Sequence, residues 1–174
     1  KHHLVPFGEY IPYQKWIPLK PVVQFTGFAF GSGPQTFEIP GELKYSPVIC
    51  YEIIFPGEIT GKPMPDFIVN VTNDGWYGIS AGPYQHLTHA VFRAVEEGIP
   101  VVRVANTGFS TIIDPLGQIN EKSSLYKEYE KKLALSTKNM LFKKNNLLKK
   151  IIFVGLAFTF ISLGYIRRIN EMHD

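Results

Sequence analysis

The residue best equipped for chemistry in this sequence is its single cysteine, Cys50, set in the run YSPVICYEIIFP from Tyr45 to Pro56. A thiol becomes a strong nucleophile once a neighbouring base takes its proton. Pro47, Val48 and Ile49 form an apolar strand-like run that ends at Cys50, and Ile53, Ile54 and Phe55 open a helical pattern beyond it. A cysteine at a strand-to-helix turn gains exposure, and the helix N-terminus helps stabilise a thiolate. The amide that follows, on Tyr51, is placed to donate to an oxyanion. The same context suits a small buried hydrophobe, since free cysteines are among the most buried residues. On these residues alone both readings stand. One cysteine excludes an intramolecular disulfide and a cysteine-based metal cluster.

Other polar groups carry weaker signals. Asn73-Asp74-Gly75 is first of all a turn, with Asn73 and Trp76 its candidates for a place at a site. His86 and His89 lie three apart on a helical pattern, but no third ligand of suitable spacing accompanies them, so neither a metal nor another cofactor is expected. Arg93, Glu96 and Glu97 suit pairing along that helix, a structural role. The aromatics Phe7, Tyr10, Tyr13, Trp16, Phe25, Phe28 and Phe30 are read mainly as core, with two or three at a lipid-facing entrance.

The elements that position these residues are strand-like runs at 36–39, 45–50, 66–71, 101–106 and 110–114. Turn signals bound them at Ile39-Pro40-Gly41, Asn73-Asp74-Gly75 and Pro115-Leu116-Gly117. Between the third and fourth runs, Leu87, Ala90, Val91, Ala94 and Val95 recur at helical spacing over 83–98, and Gly98 followed by Pro100 stops the helix. Strands alternating with at least two helices predict a layered α/β domain.

With 45% apolar residues, the 174-residue chain suits one domain with an appendage. It opens on Lys1 rather than Met, which reads as a fragment or a processed product. The formal net charge of +3 conceals an asymmetry. Residues 1–120 carry seven Lys and Arg against ten acids, a net of −3, while 121–174 carry eleven against five, a net of +6. Nucleic acid is a poor partner for that basic tail, because residues 151–166 (IIFVGLAFTFISLGYI) hold no charge. A membrane span takes ~20 apolar residues, with about 17 as the lower end. Lys150 and Arg167 can snorkel from its ends, and a stretch apolar all round is unlike an interfacial helix. The expected layout is a domain at 1–120, a basic linker and domain end at 121–148, one transmembrane helix at 149–168 and a tail at 169–174.

Ile49-Cys50-Tyr51-Glu52 with Phe55-Pro56 resembles the nucleophile signature of the nitrilase, or carbon–nitrogen hydrolase, superfamily. Asn70-Val71-Thr72-Asn73-Asp74-Gly75-Trp76-Tyr77-Gly78 resembles its later N-x-x-N-D-x-W-[FY] stretch. The opening KHHLVPFGEYIP is similar to the lysine-bearing segment of the apolipoprotein N-acyltransferases. Gln85-His86, Arg93, Glu96, Arg103-Val104-Ala105-Asn106-Thr107-Gly108 and Ile113-Asp114-Pro115-Leu116-Gly117 extend the likeness over 1–120.

The resemblance implies a nitrilase-like αββα sandwich, here its C-terminal part, followed by one transmembrane helix. It implies a Glu–Lys–Cys triad in which Cys50 is the nucleophile and Lys1 the lysine, with the general-base Glu upstream of Lys1. Glu9 and Glu52 match acids near the site that are not the base, and Tyr51, Asn73 and Trp76 are its support. The implied partners are a phospholipid acyl donor, an apolipoprotein acceptor and the membrane, with no nucleic acid and a monomeric complete protein. The implied location is the bacterial inner membrane, with the domain facing the periplasm. The lysines before 151–166 weakly favour the opposite orientation. A departure falls at 136–144, where STKNMLFKK keeps only Thr137 of the family's Thr-x-Tyr-x-Arg-x-Gly-type motif. Two rivals remain: a hydrolase of small amides or nitriles, and an inactive truncated product.

Overall fold

The structure is a computed structural model and describes residues 1–13, 28–41 and 43–130, with 151, 154–156, 158, 159 and 162 of a later helix. The chain divides into two compact units, Lys1–Leu141 and Phe142–Asp174.

The first unit is built on a six-stranded mixed sheet whose strands lie side by side in chain order. β1 (Phe37–Glu38) is antiparallel to β2 (Lys44–Ile49). β3 (Phe67–Asn73) and β4 (Val101–Asn106) continue parallel from β2. β5 (Thr111–Ile113) and β6 (Ile119–Lys122) return antiparallel. Parallel neighbours need a crossover, and between β3 and β4 it contains α1 (Gly82–Glu97), which has proline in its first turn and ends at Gly98 with φ 68°.

Strand alternation decides what faces α1. Val48, Ile68, Val101 and Ile113 turn inward and form one buried cluster with Leu87, Ala90 and Ala94 of α1. Residues an odd number of steps along the strand turn the other way, and there Ile49 of β2, Val71 of β3 and Val104 of β4 are 41%, 42% and 54% exposed. Parallel sheets normally have both faces covered. Among the described residues this sheet has a helix on one face and bare aliphatic side chains on the other, which is one sheet layer and one helix layer of the expected sandwich.

The strand runs and the helix lie close to where the sequence places them, with two differences. The helical pattern after Cys50 is a single 3-10 helix, Cys50–Ile54, because Pro56 holds Phe55 extended at φ −86° and ψ 116°. In addition, β6 crosses the boundary between domain and linker drawn at residue 120. The departure at 136–144 lies outside the described residues, and so does most of the expected span at 149–168. No helix among the described residues is long and apolar enough to cross a membrane.

Candidate active site

Cys50 follows directly on β2 and is half-buried. Its backbone φ is +52°, in the left-handed region that non-glycine residues seldom occupy. Such a conformation persists only where the surroundings over-determine it, and here they do so from two sides.

On the outer side, Glu52 binds the start of the chain to the end of β2. Its Oε1 accepts the His2 and His3 amides at 2.5 and 3.2 Å, and its Oε2 accepts the Ile49 amide at 2.9 Å. An ionised carboxylate is acceptor-only, so three backbone N–H groups suit it well. Lys1 is thereby carried beside the Cys50 turn. Its ammonium donates to Glu9 Oε1 and Oε2 at 2.7 and 2.6 Å, and that side chain is only 7% exposed. Glu9 also accepts the Val5 amide at 2.8 Å, which closes its loop. The Lys1 carbonyl accepts from the Gly31 amide at 2.7 Å. A Cβ on Gly31 would come within 3.1 Å of that carbonyl oxygen, so glycine permits the approach.

Lys1, His2, Gln35, Ile49, Glu52 and Glu58 line a cleft of roughly 190 Å³. Ligand pockets usually enclose about 300–1,000 Å³; this cleft is smaller, and Cys50 is not among the residues that line it.

On the inner side a buried polar network reaches up to Cys50. Arg103 donates to Asp74 Oδ2 at 2.8 Å and to Asn70 Oδ1, while Asn70 Nδ2 donates to the Val48 carbonyl at 3.1 Å. Thr72 donates its hydroxyl to Asp74 Oδ1 at 3.1 Å. His86 Nδ1 lies 2.8 Å from Asp74 Oδ1, and Nε2 donates to the Cys50 carbonyl oxygen at 3.3 Å. Burial by itself raises the Asp74 carboxyl. The hydrogen bond with His86 and the Arg103 guanidinium outweigh it and hold the group below the ordinary carboxylate value. Tyr77 packs edge-on to His86 with ring centres 5.5 Å apart. Its phenol is pushed up by burial, and next by the charges of Cys50 and Asp74.

The expected site residues therefore divide. Lys1, Glu9, Glu52 and the Cys50–Tyr51 turn gather in one region, and the Tyr51 ring meets Phe55 edge-on at 5.2 Å. Asn73 serves structure: its Oδ1 accepts the Gly75 amide at 3.1 Å and Asn106 Nδ2 at 3.4 Å. Trp76 is 80% exposed and stands out from the surface. His86 is committed to Asp74 and Cys50, while His89 faces Phe92 at 6.5 Å. Of the aromatics, Phe7, Tyr13, Phe28 and Phe30 are exposed, and Trp16 and Phe25 lie outside the described residues.

Sequence reasoning missed Asp74, Arg103 and Tyr77 as neighbours of Cys50. A signal existed for Arg103: it shares the inward register of Val101, and a charge buried there needs a partner.

Comparison with known proteins accounts for this arrangement. Residues 1–133 match the carbon–nitrogen hydrolase family. A protein of Rhodopseudomonas palustris named apolipoprotein N-acyltransferase is 52% identical over 124 residues, covering 68% of this chain and 23% of that protein. One of the same name from Rickettsia prowazekii is 40% identical over 171 residues, covering 94% of this chain and 34% of that protein. The chain thus spans only 23% and 34% of these relatives' own lengths. A solved CN-hydrolase superfamily protein of Xanthomonas campestris is 26% identical, with a TM-score of 0.43 over 56% of this chain and 42% of that one. The family match covers more than half of the chain, from Lys1 through the Cys50 turn and beyond, and the chain is a member of the carbon–nitrogen hydrolase family.

Proposed function

We propose that this chain is the nucleophile-bearing part of an apolipoprotein N-acyltransferase. Cys50 sulfur attacks the ester carbonyl of a phospholipid, and the tetrahedral oxyanion collapses to a thioester as the lysophospholipid oxygen leaves and takes a proton. The α-amine of a diacylglyceryl-cysteine lipoprotein then attacks the thioester, forms the amide and returns the thiolate. The general base is a glutamate outside residues 1–174. Lys1 is the cation that stabilises the oxyanion, together with the Tyr51 amide, a contribution of several kcal/mol in a dry site.

The observation that carries this reading is the clamp of Glu52 on the His2, His3 and Ile49 amides, which ties the lysine segment to the cysteine turn. The names of the relatives supply the acyl-transfer chemistry. The bare face of Ile49, Val71 and Val104 suits a second sheet from the rest of the protein. For the 149–168 segment the reading is a membrane helix in the bacterial inner membrane, with the domain on the periplasmic side. Support comes from Thr159 and Ser162, whose hydroxyls donate to the Gly155 and Phe158 carbonyls at 2.9 Å and so need no outside partner. Val154 and Phe158 are 63% and 73% exposed, as a lipid-facing surface requires.

The test is to incubate the full-length protein with a phospholipid bearing a labelled acyl chain. A hydroxylamine-sensitive label should appear on Cys50, pass to a diacylglyceryl-cysteine peptide, and be lost completely in Cys50→Ala. A covalent acyl adduct on the Cys50→Ala protein sinks the mechanism. Turnover of small amides without transfer to the peptide replaces this reading with that of a hydrolase.

A further inference from the structure

Two carbonyl oxygens of the Cys50 turn are held by a single helix. His86 donates from Nε2 to the Cys50 carbonyl at 3.3 Å, and Arg93 donates from Nη1 to the Ile54 carbonyl at 3.1 Å. These are the first and last residues of the 3-10 helix Cys50–Ile54. His86 and Arg93 are seven residues apart on the buried face of α1, two turns of an α-helix, so they project in the same direction. Each is fixed from behind. His86 rests on Asp74, which Arg103 holds in turn, and Arg93 spans to Glu96 at 3.0 Å. His86, Asp74, Arg103 and Arg93 are all buried, at 1–4% exposed.

We propose that α1 sets the aim of the nucleophile, with His86 and Arg93 as positioning residues that grip the two ends of the Cys50 turn and keep Cys50 in its left-handed conformation. A cysteine at φ +52° lies well outside its preferred backbone regions and relaxes unless held. Relaxation would swing the sulfur and the Tyr51 amide together, away from the carbon to be attacked. A misplacement of about 1 Å can cost roughly 10²-fold in rate. His86 touches neither acyl donor nor sulfur in this role; it acts through the Cys50 backbone.

The inference rests on Cys50 being the nucleophile, and one experiment separates the two ideas. In the full-length protein, acylation of Cys50 by labelled phospholipid is followed over a range of concentrations for wild type, His86→Asn, His86→Gln and Cys50→Ala. Asparagine places its amide near the Nδ1 position and keeps the Asp74 contact without reaching the Cys50 carbonyl. Glutamine places a donor near Nε2. His86→Asn should lower the acylation rate constant by about 10²-fold with the half-saturating phospholipid concentration unchanged, and His86→Gln should restore most of the loss. Wild-type acylation in His86→Asn overturns the proposal, as does a glutamine variant no better than the asparagine one. Label on Cys50→Ala instead removes the nucleophile assignment itself. If His86→Asn does not accumulate, Arg93→Gln decides the matter. It should slow acylation at unchanged half-saturation, and a wild-type rate there refutes the grip.

Discussion

The turn that carries Cys50 hangs from groups sealed in the core, whereas the segment that carries Lys1 is tied down by a few hydrogen bonds near the surface. Beneath Cys50, Asp74, His86 and Arg103 are 1–2% exposed and bonded to one another. Around Lys1, the contact from the His2 amide to Glu52 is exposed, and the Glu9 carboxylate is 20% exposed. A polar network buried this deeply loses heavily when any partner is removed, so the geometry of the nucleophile is inseparable from the stability of the fold. The geometry of the lysine is local. Substitutions on the two sides should therefore separate activity from stability in opposite ways.

The largest effect short of losing the nucleophile should come from Lys1→Ala, at about 10²–10³ in kcat, the usual cost of removing one oxyanion donor. Lys1→Arg should recover little, because a planar guanidinium differs in shape and reach from an ammonium. Lys1→Ala also breaks the Lys1–Glu9 pair, but the fall in melting temperature should stay modest, since Glu9 keeps the Val5 amide and backbone contacts through Glu52 and Gly31 hold the segment. Retention of more than about a tenth of kcat in Lys1→Ala would remove the oxyanion role, given that magnitude. A large fall in melting temperature would remove the contrast between the two sides.

Gly108→Ala probes the other side and should be next in size. A Cβ there would lie 2.1 Å from Asp74 Oδ2 and 2.7 Å from Asp74 Cγ. Asp74 cannot retreat, because Arg103, His86 and Thr72 hold both its oxygens. Overpacking of this kind typically costs about 1–3 kcal/mol. The variant should lose stability in denaturant titration and acylation rate together, which Lys1→Ala should not do. Unchanged stability would mean that the network is more yielding than its hydrogen bonds imply.

Much of this arrangement was legible in the sequence, and the rest was not for identifiable reasons. β4 falls at 101–106 as read, and α1 lies within a residue of its expected limits, because alternation and the Gly98–Pro100 stop are local signals. β6 was invisible: Ile119 is the one apolar residue in INEK, and the strand exists through its pairing with β5. Cys50 at a strand end was visible, but its φ of +52° was not, since only the fold supplies the groups that hold it. Asp74 sits in a turn sequence, which carries no sign of its burial. Its partners Arg103 and His86 are 29 and 12 residues away, and only the β3–α1–β4 crossover brings them together. Trp76 is 80% exposed, a direction that its motif position could not state.

The smallest expected effect is on the acid side of the stability profile, and it belongs to the Cys50 half. Asp74 is held below its ordinary value in the folded protein: burial opposes this, and the His86 hydrogen bond and Arg103 charge prevail. An unfolded aspartate has a pKa of about 3.9. The folded state therefore binds fewer protons than the unfolded one between those two values, and stability rises with pH through that window. The contribution is fully present above about pH 4. It is lost as pH falls through the lower folded value. Asp74→Asn cannot ionise, so at neutral pH it should be less stable than wild type, with the Arg103 guanidinium short of its counter-charge. As pH falls below about 4 the gap should close, because protonated aspartic acid and asparagine become alike in charge. Denaturant titrations of the full-length protein and of Asp74→Asn at stepped pH measure this directly. A gap that stays constant down to the most acid point would show that Asp74 binds protons alike in the folded and unfolded states, and that its charge lends the network beneath Cys50 no net stability.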